Sequence, residues 1–213
     1  MTLVLHEHPF AAYCWKALIA LYERAVPFER HFVGDAADRA ALAELWPMAS
    51  IPVLVDDAAG LTLPESTTIV EYLDAHGDAP PLVASLQARL WDRVIDGHVM
   101  TPMQKIVSDT FRPQGEHDPH GVDSARKQLD TAYGWLDDAL ADREWAAGGA
   151  FSLADCAAAP SLFYADWTHP IGPTHDRVRA YRQRLLARPS FARAVDEARP
   201  YRPFFPLGAP DRD

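Results

Sequence analysis

The sequence predicts an α/β domain of order βαβαββα followed by an all-helical half, within a chain of 213 residues. Three observations carry that reading. Short β-forming runs alternate with segments of helical periodicity as far as Leu73. The stretch Gly77-Asp78-Ala79-Pro80-Pro81 then punctuates the chain. Beyond it, apolar residues recur only at helical spacing. The first domain is therefore expected over residues 1–78 and the helical domain over 84–213.

Leu3-Val4-Leu5 is an apolar run suited to a buried strand. After Pro9, the residues Cys14, Leu18, Leu21, Tyr22 and Ala25 recur at helical spacing, and Lys16, Glu23 and Arg24 fall outside that stripe. Pro27 stops this helix, and residues 28–33 read as a second strand, which makes a parallel crossover unit. The Ala-rich segment from Asp35 to Leu45 is helical in pattern. Ile51-Pro52-Val53-Leu54-Val55 follows as a third strand, and the turn residues from Asp56 to Gly60 lead to a return strand at Leu61-Thr62-Leu63. Ser66 can cap the next helix, whose apolar face is Ile69, Val70, Tyr72 and Leu73.

In the second half, Leu86, Leu90, Ile95 and Val99 mark a long helix that Pro102 should kink or interrupt. A loop is expected over 112–121, then a helix over 122–141. Ser152 and Asp155, three apart before an apolar run, form a capping box. Helices over 176–187 and 190–198 complete the domain. The tail from Pro200 to Asp213, with four prolines, reads as non-helical.

Composition narrows the function classes. Hydrophobic residues make up 48% and charged residues 23%, which is ordinary for a globular chain. The net charge of −10 argues against nucleic acid, whose binding needs a basic surface to displace counterions, and against an anionic membrane surface. No stretch approaches the roughly 20 apolar residues of a membrane span. The first residues lack the basic start and apolar core of a secretion signal, so a cytoplasmic location is expected. Cys14 and Cys156 give no disulfide framework and are expected as free thiols. His6 and His8, two apart with no cysteine or carboxylate cluster, do not make a metal site, and no metal is expected.

Three ordered segments carry a family resemblance. They are the stretch from His8 to Leu21, the pair Ser50-Ile51-Pro52-Val53-Leu54 and Leu63-Pro64-Glu65-Ser66, and the box from Phe151 to Asp155 with Pro160 beyond it. Together with the element order, they resemble cytosolic glutathione transferases of bacterial type. The resemblance implies a thioredoxin-like first domain, a helical-bundle second domain, a homodimer, glutathione as cosubstrate, and a detoxifying transfer of its sulfur to a small-molecule electrophile. It further implies that Ile51, before a cis Pro52, meets the cysteinyl unit of glutathione through its backbone. Glu65 and Ser66 would hold the γ-glutamyl ammonium and carboxylate, and Phe10 would lie beside the bound tripeptide. Apart from the resemblance, Ile51-Pro52 also reads as an ordinary strand start and Ser66 as a simple cap.

The family places a Ser, Cys or Tyr near the first helix to hold the thiolate, whereas the aligned position here is Ala11. The thiolate side is therefore expected to rest on the backbone of Ala11 and Ala12 at the positive helix start. Tyr13, His8 and His98 are further candidates, and His6 lies close by. Cys14 begins the apolar stripe and reads as a core thiol, although a helix start can lower a thiol pKa. Phe10, Met103, Tyr164 and Trp167 either line a cosubstrate pocket or pack the core. Asp92 and Asp96 are read as a solvated helix face, with reach toward a partner's glutathione as the alternative. Ala11 leaves a non-catalytic glutathione-binding or stress-associated protein, or a glutathione-dependent isomerase, as alternative functions.

Overall fold

A computed structural model describes residues 3–77 and 79–213. The expected end of the first domain at Asp78, and Met1-Thr2 of the expected leaderless start, lie outside the described residues. The strands are β1 (Leu3–Glu7), β2 (Phe28–Phe32), β3 (Val53–Asp56) and β4 (Leu61–Pro64), in the sheet order β2-β1-β3-β4. β1 pairs parallel with β2, while β3 is antiparallel to both β1 and β4. This is the thioredoxin-like arrangement the element order implied. The β3–β4 hairpin closes because the Asp56 carboxylate accepts from the amides of Ala58 and Ala59, and Gly60 takes φ +65°.

Helix α1 (Ala12–Glu23) connects β1 to β2, and α2 (Ala36–Leu45) connects β2 to β3. Asp35 caps α2 by accepting from the amides of Ala37 and Asp38. Helix α3 (Ser66–Leu73) closes the first half. The stripe predicted for α1 is too narrow. Ala12 and every residue from Cys14 to Leu21 are buried, because α3 and the later helices pack around α1. Lys16 and Arg24, placed outside the stripe by periodicity, are buried too. Arg24 donates to the carbonyls of Leu73, His76 and Gly77 just beyond α3, where a helix end leaves its acceptors unpaired.

The second half contains α4 (Leu86–Ile95), α5 (Thr101–Asp109), α6 (Pro119–Ala139), α7 (Leu153–Thr168), α8 (Asp176–Leu186) and α9 (Pro189–Ala198). Among the described residues, no helix is long and apolar enough to cross a membrane. The kink or interruption expected at Pro102 takes the form of a change of helix type just before it. Between α4 and α5 the backbone widens into a π-helical segment, Asp96–Met100, and stays helical. The Thr101 hydroxyl donates to the Asp96 carbonyl, 2.8 Å away. The tail also departs from expectation: residues Arg199–Phe204 form a 3-10 helix before the extended end.

Helix α7 runs through the centre of the helical half and is buried along nearly its whole length. The predicted capping box forms at its start and extends further than the sequence shows. The Asp155 carboxylate, fully buried, accepts from the amides of Ala146 and Ser152 (2.9 Å each), from the Ser152 hydroxyl (3.1 Å) and from the Tyr181 hydroxyl. It ties the preceding loop and α8 to α7. Asp155→Ala strands several buried donors, each costing about 1–3 kcal/mol. The expected outcome is a loss of about 3 kcal/mol or more, read by denaturant unfolding, with unchanged ligand affinity in the molecules that remain folded. A melting curve like that of the unsubstituted chain would show that the box holds nothing together.

Candidate functional site

Where the edge of the sheet meets α4 and α5, two cavities adjoin. The polar one has a volume of about 560 Å³. Its first wall comes from the turn before β3. The Ile51–Pro52 bond is cis, and Ile51 lies outside the strand ladder, so its backbone groups are free of the sheet. Its second wall is the start of α3. Glu65 adopts φ +69°, the left-handed region that non-glycine residues rarely enter. That conformation turns the chain from β4 directly into helix.

Ser66 is therefore the first residue of α3 and not its cap, which corrects the sequence reading. Glu65 occupies the capping position without a side-chain cap bond and remains exposed. The amides opening α3 have no acceptor within the helix, so they and the buried Ser66 form a donor-rich corner.

The third wall comes from α4 and the π-helical segment, with Arg93, Asp96 and Gly97 facing the cavity. Behind it lies a cluster that the sequence reading missed. The Lys16 ammonium, with no exposed surface, pairs with Asp92 and with Asp96 (2.9 Å) and donates to the Thr67 hydroxyl (2.8 Å). That hydroxyl donates in turn to Asp92, 3.0 Å away. Arg93 closes the cluster from the solvent side through Asp92 (3.3 Å) and Asp96. Asp92 and Asp96 are thus buried members of an ion-pair cluster, not a solvated helix face. Burial raises the Asp96 carboxyl above the ordinary range, against the pull of Lys16. One signal was available: Lys16 is the only charge between Ala12 and Leu21, and two aspartates one helical turn apart stand ready to meet it.

The second cavity, about 370 Å³, is largely apolar and includes Phe10, Ala11, Met103, Val107 and Phe205 on its walls. Ala11 stands at the capping position of α1 with no side-chain oxygen to offer, and its amide donates to the His8 carbonyl at 2.9 Å. The amides of Ala12 and Tyr13, at the first two helical positions, have no intrahelical acceptor. Tyr13 and Ile51 line both cavities. Burial, reinforced by Asp96, pushes the Tyr13 phenol up to about 12, so at neutral pH it is a neutral hydrogen-bond donor.

The remaining candidates separate by position. Met103 and Tyr164 line the apolar cavity, and the Tyr164 hydroxyl donates to the Phe10 carbonyl at 3.1 Å. Trp167 lies outside the cavity lining and packs on Phe10 and Phe205 as core. His98 is corrected: it projects into a different groove, between α4 and α6, away from both cavities. His8 lines neither cavity; its Nδ1 accepts from the Phe10 amide at 3.1 Å and its ring packs on Phe32 and Tyr201. His6 packs against the His31 ring at a tilt. Cys14 is fully buried, and burial raises its thiol far above the ordinary value, as a core role requires.

Comparison with known proteins matches the same two halves. The family model described as glutathione S-transferase, N-terminal domain, matches residues 5–81, and the one for the C-terminal domain matches residues 113–184. The chain is 29% identical over 207 residues to a stringent starvation protein A homolog of Coxiella burnetii, covering 92% of each protein. It is also 29% identical over 194 residues to the glutathione S-transferase GstB of Escherichia coli, covering 84% of this chain and 91% of that one. A solved glutathione S-transferase from Methylobacterium radiotolerans, in complex with glutathione sulfonate, aligns with a TM-score of 0.79 at 27% identity. That alignment covers 92% of this chain and 95% of the other.

Proposed function

The chain belongs to the glutathione S-transferase family, and on that premise we propose that it binds glutathione in the polar cavity and transfers its sulfur to a small electrophile in the apolar one. The observation that carries this reading is the shared wall: Tyr13 and Ile51 line both cavities, so a thiol reaching past Ile51 meets a cosubstrate beside Phe10 and Met103. Ser66 and the opening amides of α3 take the γ-glutamyl carboxylate, and Glu65 pairs with the ammonium. The Ile51 backbone, outside the ladder, bonds the cysteinyl unit in the manner of an added strand. The sulfur then lies toward the start of α1. There the amides of Ala12 and Tyr13 and the Tyr13 hydroxyl stabilise the thiolate once its proton has left to solvent. Attack by the thiolate expels the electrophile's leaving group or adds to its double bond.

Ala11 favours a second reading, in which glutathione is bound without appreciable turnover, since no hydroxyl stands at the head of α1. The protein is read as a cytoplasmic homodimer. The groove between α4 and α6 suits the subunit contact: Leu90 and Trp135 line it and remain 51% and 43% exposed in the single chain.

Three outcomes test these proposals. Calorimetric titration should show glutathione binding that falls on the order of tenfold or more in Glu65→Ala and in Ser66→Ala, the scale of one charge-assisted contact. Unchanged affinity in both folded variants would remove the assignment. Ala11→Ser should lower the apparent pKa of bound glutathione, followed by its ultraviolet thiolate absorbance, and raise aryl-halide conjugation by up to about 100-fold. An unsubstituted chain as active as this variant would mean that another group already holds the sulfur, whereas no turnover in either would favour the binding-only reading. Finally, sedimentation velocity should find a dimer that Leu90→Glu converts to folded monomer. A persistent dimer places the contact elsewhere.

A further inference from the structure

The turn between β1 and α1 sets where the head of α1 stands, and its backbone is bonded almost group by group. The Pro9 carbonyl accepts from the Trp15 indole at 2.6 Å, and the Phe10 carbonyl from the Tyr164 hydroxyl at 3.1 Å. The Ala11 amide donates to the His8 carbonyl at 2.9 Å. The Phe10 amide is taken by a side chain instead: Nδ1 of His8 accepts it at 3.1 Å. This is the pattern of an Asx turn, in which a side chain accepts from the amide two positions on, with an imidazole nitrogen in place of an asparagine oxygen. With the turn closed in this way, the amides of Ala12 and Tyr13 remain unpaired at the helix head.

An imidazole nitrogen differs from an amide oxygen in one respect, because it accepts only while unprotonated. Once protonated, Nδ1 turns an N–H toward the Phe10 N–H, and the turn loses a bond and gains a repulsion. The half-buried His8 ring packs on Phe32 of β2 and on Tyr201 of the 3-10 helix. Arg39 of α2 is the charged group that acts on it, and Tyr201 is the titratable group in contact with it. Burial first, and then Arg39, lowers the ring below its ordinary 6.5, so it is neutral at physiological pH. The contribution of the turn is therefore whole above 6.5 and is lost as the pH falls through the lowered value.

We propose that neutral His8 is a positioning residue for the thiolate side of the site: by accepting the Phe10 amide it keeps the amides of Ala12 and Tyr13 aimed at the sulfur, and acid releases that hold. This inference rests on the glutathione reading above. His8 lines neither cavity, so it acts through the turn and not by touching a substrate.

Two ligands separate the sulfur end from the rest of the tripeptide. Glutathione sulfonate carries a fixed anion there, and S-methylglutathione carries none. The ratio of their affinities, measured by calorimetry, reads the anion-holding amides without a titrating thiol. In the unsubstituted chain the preference for the sulfonate should fall about fivefold or more between about pH 8 and about pH 5, the scale of a lost hydrogen bond. His8→Asn, whose side-chain oxygen can accept the same N–H and does not titrate, should keep the preference at both pH values. His8→Leu, which fills space without an acceptor, should show the reduced preference throughout. Long-range proton–nitrogen correlation spectra of the unsubstituted chain should find Nδ1 unprotonated at neutral pH, with the Phe10 amide resonance moving as His8 titrates below 6.5. A preference that ignores pH, or that rises in acid as an imidazolium charge alone would make it, overturns the inference and leaves the glutathione reading standing. So does a proton on Nδ1 at neutral pH, or a His8→Leu variant that keeps the full preference. If the unsubstituted chain binds neither ligand at about pH 8, the glutathione reading itself fails and this inference falls with it.

Discussion

The buried ammonium of Lys16 is the constraint on which the arrangement of the cavity depends. A lysine without exposed surface must be matched by carboxylates and hydrogen-bonded, because the cost of an unpaired buried charge exceeds most single packing gains. Its partners come from three elements: it sits on α1, the Thr67 hydroxyl comes from α3, and Asp92 and Asp96 come from α4 and the π-helical segment. Satisfying one cation therefore fixes how the helical half meets the sheet half. Apolar contacts between the same helices would tolerate sliding by a fraction of a turn, whereas three directed bonds to one nitrogen do not. Exchanging such a cluster for apolar residues can be neutral in stability, so specificity of the junction, not added stability, is the reasonable account of it.

The π-helical segment follows from the same junction. Asp96 opens it, and Gly97 and Thr101 line the cavity just beyond. An undisturbed α-helix rotates about 100° per residue, so one wide turn shifts the face presented after it. Pro102, which would otherwise leave a carbonyl unpaired in a regular helix, sits where the widened turn already changes the bonding pattern. Its neighbours Thr101 and Met103 line the polar and the apolar cavity respectively.

That contrast describes what was legible in the sequence and what was not. Local features were: the βαβαββα order and the box at Ser152 and Asp155 rest on neighbours within a few positions, whereas the cis Ile51–Pro52 turn and the corner at Glu65-Ser66 were expected only from the family resemblance. Long-range pairings were not. Periodicity placed Lys16 and Arg24 outside the apolar stripe because it scores side chains by type, and their partners lie about fifty or more positions away. The same blindness exposed Asp92 and Asp96 on paper and buried them in the fold. His98 shows the rotational version of the error: it belongs to the helical wall as expected, but the residue faces the α6 side. Membership of a helix was readable; which of its faces meets the cavity was not. Ser66 differs by a single position, because only the left-handed backbone of Glu65 reveals that the helix begins one residue earlier than a cap at Ser66 would imply.

Ala11 is then the place where the local and the long-range arguments meet. At the head of α1 the backbone supplies unpaired amides and the positive end of the helix, and both favour an anion. Opposing them, the carboxylate of Asp96 raises the Tyr13 phenol along with burial, and the same negative field reaches a sulfur placed against Tyr13. Lys16 and Arg93 offset that field by pairing with Asp92 and Asp96, which leaves the balance near the helix head to short-range donors. A phenol held at about 12 keeps its proton throughout the physiological range and can donate without competing for the negative charge. Tyr13 lines both cavities, and in the proposed function it is the side chain that supplies what Ala11 lacks. On that proposal two amides and one phenol serve a thiolate in place of the side-chain oxygen that Ala11 does not offer.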